Sequence, residues 1–154
     1  MKTVSILLST SAMAFALAFP ALATGDLSRD NPMEIVIEMG STDSGDKSMY
    51  FKPNHLELET GKAYKLVLKN TDTIKHEFES FGLMERSFTR KVEITDEAGG
   101  LVAEIKGSIS EIEVGPGKEV EWFIVPVQTG EDLAMECLIP GHVEAGMVGT
   151  ITVK

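Results

Sequence analysis

The run Cys137-Leu-Ile-Pro-Gly-His142-Val-Glu-Ala-Gly-Met147 places a thiol, an imidazole and a thioether within eleven residues, and a further imidazole, His76, lies far upstream. Two histidines and one cysteine in a trigonal plane, with a weak methionine on the axis, make up the ligand set of a mononuclear blue-copper site. Soft sulfur donors favour copper over magnesium or calcium, and the mixed nitrogen and sulfur set suits a metal that cycles between Cu(I) and Cu(II). The chemistry expected of His76, Cys137, His142 and Met147 is therefore the binding of one copper ion and the carriage of one electron. Cys137 is the only cysteine. It cannot form an intramolecular disulfide, and an exported free thiol is open to oxidation unless a metal holds it. His55, in Pro53-Asn54-His55, reads as a surface residue where a turn enters a strand.

The segments around these residues are β-patterned. Glu34 to Met39 alternates around Ile35 and Ile37. Leu56 and Leu58 alternate with glutamates, and Tyr64, Leu66 and Leu68 follow after Thr60-Gly61. His76 and Phe78 share one face, with Glu77 and Glu79 on the other, which reads as a solvated strand face. Ile112 and Val114 precede Gly115-Pro-Gly, then Val120, Trp122 and Ile124 recur at period two. Leu133, Met135 and Cys137 share a strand face, and Gly149 to Val153 closes the chain. This spacing predicts an all-β antiparallel sandwich or barrel. Between Phe81 and Ser110 the pattern predicts strands at Phe88–Ile94 and Leu101–Ile105, and allows a short helical turn near Leu83 to Ser87. Residues 25–32 and 40–48 read as loops. In the ligand loop Pro140 fixes φ, while Gly141 and Gly146 permit backbone angles closed to other residues. Backbone N–H groups near Asn70 to Ile74 and in the 138–141 loop are candidate donors to the cysteine sulfur.

Residues 1–23 read as a cleaved secretory signal: Lys2, an apolar stretch from Ile6 to Leu22, and the small-x-small site Ala21-Leu22-Ala23. No cysteine stands at the cut to carry a lipid, and no second apolar run is long enough to span a bilayer. Residues 24–154 form one domain of 131 residues with a formal charge of −11, since the signal removes one lysine from a chain at −10. That charge argues against nucleic acid and anionic lipid, and for basic partners. Neither a nucleophile constellation nor a phosphate-binding glycine loop is present, so an enzyme is not expected, save for Fe(II) or Cu(I) oxidation within a transport system.

On these residues the chain resembles the cupredoxins, the plastocyanin/azurin/auracyanin type of blue-copper protein. Phe51-Lys-Pro53, Leu56, Leu58, Gly61 and Asn70 leading to His76 carry the early part of the resemblance. Gly115-Pro-Gly and Cys137 through Met147-Val-Gly-Thr-Ile-Thr-Val carry the late part. The resemblance implies a Greek-key β-sandwich with copper near one end, His76, Cys137 and His142 as equatorial ligands and Met147 as the axial one. Met135 stands where many cupredoxins carry an aromatic residue, and Glu77 and Glu136 stand where less charged residues are common. His76-Glu-Phe-Glu79, with Phe88-Thr-Arg-Lys91 beyond, is also similar to the cupredoxin-like proteins of bacterial ferrous-iron uptake.

Three functions follow as expectations. The first is a periplasmic, monomeric electron carrier that meets a basic redox partner or membrane permease component. The second is a metal handler for iron uptake or for copper storage and delivery. For it, Glu77, Glu79 and Glu85 would offer a second, harder site, and Met39, Met49 and Met84 further soft ligands. The third is a structural zinc site on the same residues, which would have little use for Met147.

Overall fold

The computed structural model describes residues 31–42 and 48–154; the expected signal segment 1–23 lies outside them. Among the described residues, eleven strands and one short helix follow in chain order. They are β1 (Met33–Ser41), β2 (Met49–Lys52), β3 (His55–Leu58), β4 (Tyr64–Asn70), β5 (His76–Phe78) and α1 (Phe81–Glu85). Then come β6 (Ser87–Thr95), β7 (Leu101–Ile105), β8 (Ile112–Val114), β9 (Glu119–Pro126), β10 (Gly130–Glu136) and β11 (Val148–Val153).

A six-stranded sheet, in the order β2-β1-β4-β9-β6-β7, faces a three-stranded sheet, β10-β11-β3. β5 and β8 form a separate ladder. Alternation sends Ile37, Leu66, Leu68, Trp122 and Ile124 inward from the large sheet and Leu56, Leu58, Met135 and Ile151 from the small one. All are nearly or wholly buried, and each fully buried side chain of this size contributes roughly 1.5–3 kcal/mol. Phe78 sits edge-on between Phe51 and Trp122, with ring centroids 6.0 and 6.1 Å away. That aromatic contact anchors the strand that carries His76.

The all-β Greek-key sandwich is as expected, but its pairing is not wholly antiparallel. β1 runs parallel to β4, and β11 parallel to β3. The physical reason is that the chain crosses between sheets after β2 and again after β3. β1 and β4 thereby become neighbours running the same way. Residues 40 and 41, expected in a loop, extend β1, and Met49–Lys52 pairs with it as an edge strand too short for alternation to announce. The helical turn allowed near Leu83 to Ser87 is α1, which starts two residues earlier and is capped by the Ser80 hydroxyl, which accepts from the Leu83 N–H.

Candidate metal centre

Three elements deliver the donors. His76 opens β5, where the β8 ladder pairs it with Val114. Cys137 follows the last residue of β10. An isolated bridge joins Glu79 to Glu136, with N–H to O distances of 3.0 and 2.9 Å, and so locks β10 beside β5. His142 and Met147 come from the loop between β10 and β11. That loop is stitched by its own backbone: His142 N–H to Ile139 O at 3.0 Å, Met147 N–H to His142 O at 2.9 Å and Cys137 N–H to Met147 O at 3.3 Å. Gly141 and Gly146 have φ of 90° and 95°, the left-handed region that the ligand loop was expected to need.

His76, Cys137 and His142 converge, with one donor atom from each inside a 4.8 Å group, the only such group of three among the described residues. His142 Nδ1 lies 3.2 Å from Cys137 Sγ and 3.3 Å from His76 Nδ1. Three donors spread around one ion at about 2.0–2.3 Å would stand ~3.5–4 Å apart, so the trio fits a single metal with little movement. Met147 is fully buried, as are Cys137 and His76, and its backbone is bonded to both His142 and Cys137. His142 is the least covered of the four, at 7% exposure.

The electrostatics suit a soft cation. Burial pushes the Cys137 thiol up, against the N–H groups of Glu77 and Ile139 that stabilise the thiolate. The Glu77 N–H lies 3.2 Å from Sγ. The loop donor was anticipated; the donor expected among residues 70–74 is instead Glu77, because β5 and not the preceding turn runs past the sulfur. Burial, and then the neighbouring His76, push His142 below its ordinary value and keep the ring neutral and free to ligate.

The second, carboxylate site is not assembled. Glu85 is exposed on α1, Glu77 is half-buried and Glu79 is 7% exposed, so the expected solvated face does not hold for Glu79. The bridge to Glu136 brings β10 alongside the end of β5, where Glu79 is covered. Burial and then Glu111 raise the carboxyls of both Glu77 and Glu79. Met39 is core, and Met49 and Met84 pack against it. His55 is exposed, with Nδ1 2.7 Å from Thr150 Oγ1, as expected of a surface residue.

The roles of two residues at the centre escaped sequence reasoning. Asn70, 1% exposed, ties its Nδ2 to the carbonyls of Ile74 and Val114 at 2.7 and 2.9 Å. Asp72 lies 3.2 Å from His76 Nε2. The signal available was an Asn-x-Asp turn ending four residues before a histidine.

The profile of the copper binding proteins of the plastocyanin/azurin family matches residues 38–154. The copper-resistant cuproprotein CopI of Pseudomonas aeruginosa is 28% identical over 132 residues, covering 69% of this chain and 71% of that protein. Among solved structures, a multicopper oxidase from Campylobacter jejuni superposes with a TM-score of 0.62 at 19% identity, over 81% of this chain. The Cu-containing nitrite reductase NirK of Thermus scotoductus does so with 0.63 at 12% identity, over 83%. The chain spans only 31% and 32% of those two enzymes, and the likeness is one of fold. The chain belongs to the plastocyanin/azurin family of copper binding proteins, and its cofactor is one copper ion.

Proposed function

We propose that this member of the plastocyanin/azurin copper-binding family is a periplasmic type 1 copper protein that passes single electrons between redox partners. In this reading residues 1–23 direct export and are removed. The observation that carries it is the buried convergence of Cys137 Sγ, His142 Nδ1 and His76 Nδ1. Copper bound there supplies a one-electron Cu(II)/Cu(I) couple. The protein's part is to hold the donors still. β10 and β5, locked by the Glu79–Glu136 bridge, fix Cys137 against His76, and the backbone-bonded loop fixes His142 and Met147. Met147, buried in the same loop, would add a weak thioether donor. A frame that keeps one geometry in both oxidation states leaves little to rearrange per electron.

The ring edge of His142 is the exit for the electron. Leu138 and Pro140 are exposed beside it in the same loop, and Ile139, Val143 and Ala145 are half-buried. They form the apolar contact for a basic redox protein or permease component, which the acidic surface steers inward. The protein acts as a monomeric carrier and not as an enzyme. Stopped-flow electron transfer to a basic redox protein across a salt series tests this: the rate should fall as salt rises, and Val143→Asp should slow it. A rate indifferent to both would remove the docking assignment.

A second reading, copper handling, is favoured by the name of the CopI relative, a copper-resistant cuproprotein. Service to iron uptake is a variant of it. Metal stoichiometry separates the readings: one tightly held copper for a carrier, additional copper or iron for a handler.

A further inference from the structure

His76 turns Nδ1 toward His142, which leaves Nε2 on the opposite edge of a fully buried ring. That edge does not face water. It meets Oδ2 of Asp72 at 3.2 Å, and the Asp72 side chain is 12% exposed. The carboxylate is held from several sides. The Ser41 side chain and the Thr73 N–H favour its charged form; the Thr73 N–H donates to Oδ1 at 2.6 Å, and the Thr73 hydroxyl lies 3.5 Å from the same oxygen. The Asp72 backbone is fixed in turn, its N–H donating to Asn70 Oδ1 at 2.8 Å. Asn70 is anchored to Ile74 and, across to β8, to Val114.

An imidazole whose far nitrogen faces an anchored carboxylate keeps its proton there. The near nitrogen then presents a lone pair to the metal. A backbone carbonyl would select the same tautomer, but a carboxylate adds a full negative charge beside the ligand ring. That charge favours the more highly charged Cu(II) over Cu(I).

We propose that Asp72 is the positioning residue of the copper centre: it locks His76 as the Nε2–H tautomer and biases the Cu(II)/Cu(I) couple toward Cu(II). The assignment rests on copper being held by His76, Cys137 and His142, as proposed above. Loss of such an outer partner costs about 10–100-fold in metal affinity. A tenfold loss confined to Cu(II) raises a one-electron potential by about 59 mV.

The test compares the full copper-loaded chain with Asp72→Asn, which keeps the shape and removes the charge, and with Asp72→Ala. Both variants should retain copper. In each, Cu(II) affinity should fall at least tenfold more than Cu(I) affinity, and voltammetry should show a higher potential. A potential equal to that of the native chain, even with a lower melting temperature, would overturn the proposal and leave Asp72 a brace for the turn. A second readout needs no metal: nitrogen-15 NMR of the metal-free chain should place the His76 proton on Nε2, and Asp72→Ala should show both tautomers. A single Nε2–H form in Asp72→Ala would overturn the orienting role. A native chain that takes up no copper would refute the copper assignment itself, while the NMR comparison would still judge Asp72.

Discussion

Replacing Asn70 by alanine removes three hydrogen bonds from the turn that carries the chain into His76. The bond to Val114 O is fully buried, so no water takes its place beside the ladder pairing of Val114 with His76. A buried acceptor stripped of such a bond costs about 1–3 kcal/mol. The bonds to Ile74 O and from the Asp72 N–H are partly buried, and water can replace them in part, at roughly 0.5–1.5 kcal/mol each. The expected loss is roughly 2–6 kcal/mol, a large share of the roughly 5–15 kcal/mol that holds a domain of this size. With a urea slope of about 2 kcal/mol/M, the unfolding midpoint should fall by about 1–3 M. The measurement should be made on both metal-free and copper-loaded protein, because bound metal adds stability of its own. The site should suffer as well, since the same turn holds Asp72 against His76, and copper affinity should drop in parallel. A midpoint shift below about 0.3 M with unchanged copper affinity would refute the view that Asn70 fixes the first ligand. It would mean that the β5–β8 ladder alone positions His76.

Met147→Leu should keep copper and raise the potential, because a weaker axial donor stabilises Cu(II) less; complete loss of copper by elemental analysis would make Met147 a strong ligand or a pure core residue. Gly149→Ala should destabilise by about 1–3 kcal/mol, because the added methyl would collide with Met135 Cε and lie 2.5 Å from the Asn54 carbonyl oxygen. Since Gly149 pairs with Met135 in the β10–β11 ladder, urea melts should show that loss together with a disturbed copper spectrum. Uptake of Co(II) at pH 7.5 should release about one proton per ion, from Cys137, whose thiol burial keeps protonated, and none from His142, which burial keeps neutral. Calorimetry in buffers of different ionisation enthalpy checks this, and release of no proton would mean that Cys137 is already a thiolate. For His142 the folded-state value is lowered, so its contribution to the stability of the metal-free chain is present above about pH 6.5. It is lost as pH falls through the lowered value, and urea midpoints at pH 7.5 and 5.5 should differ in that direction.

The ligand loop was legible because its chemistry is local. Cys137, His142 and Met147 lie close in sequence, and Pro140, Gly141 and Gly146 announce the turns that aim them. His76 was legible through its strand, since it shares a face with Phe78, and both are fully buried. What stayed hidden depends on contacts between distant segments. The parallel pairings of β1 with β4 and of β3 with β11 follow from where the chain crosses between sheets, which period-two alternation does not encode. Glu79 looked solvated because Glu77 and Glu79 alternate with His76 and Phe78, yet the strand that bridges to it at Glu136 leaves it buried. Asp72 and Asn70 sit in a polar turn that composition alone assigns to solvent, yet one braces the turn and the other meets the first ligand.

The central claim, that His76, Cys137 and His142 hold one copper as a trigonal thiolate site, is tested most directly by loading the purified chain with Cu(II) and recording its metal content and visible spectrum. One copper per chain and an intense thiolate-to-copper charge-transfer band are expected, with the band abolished in Cys137→Ser. A colourless copper complex, or a band that survives Cys137→Ser, would contradict the account.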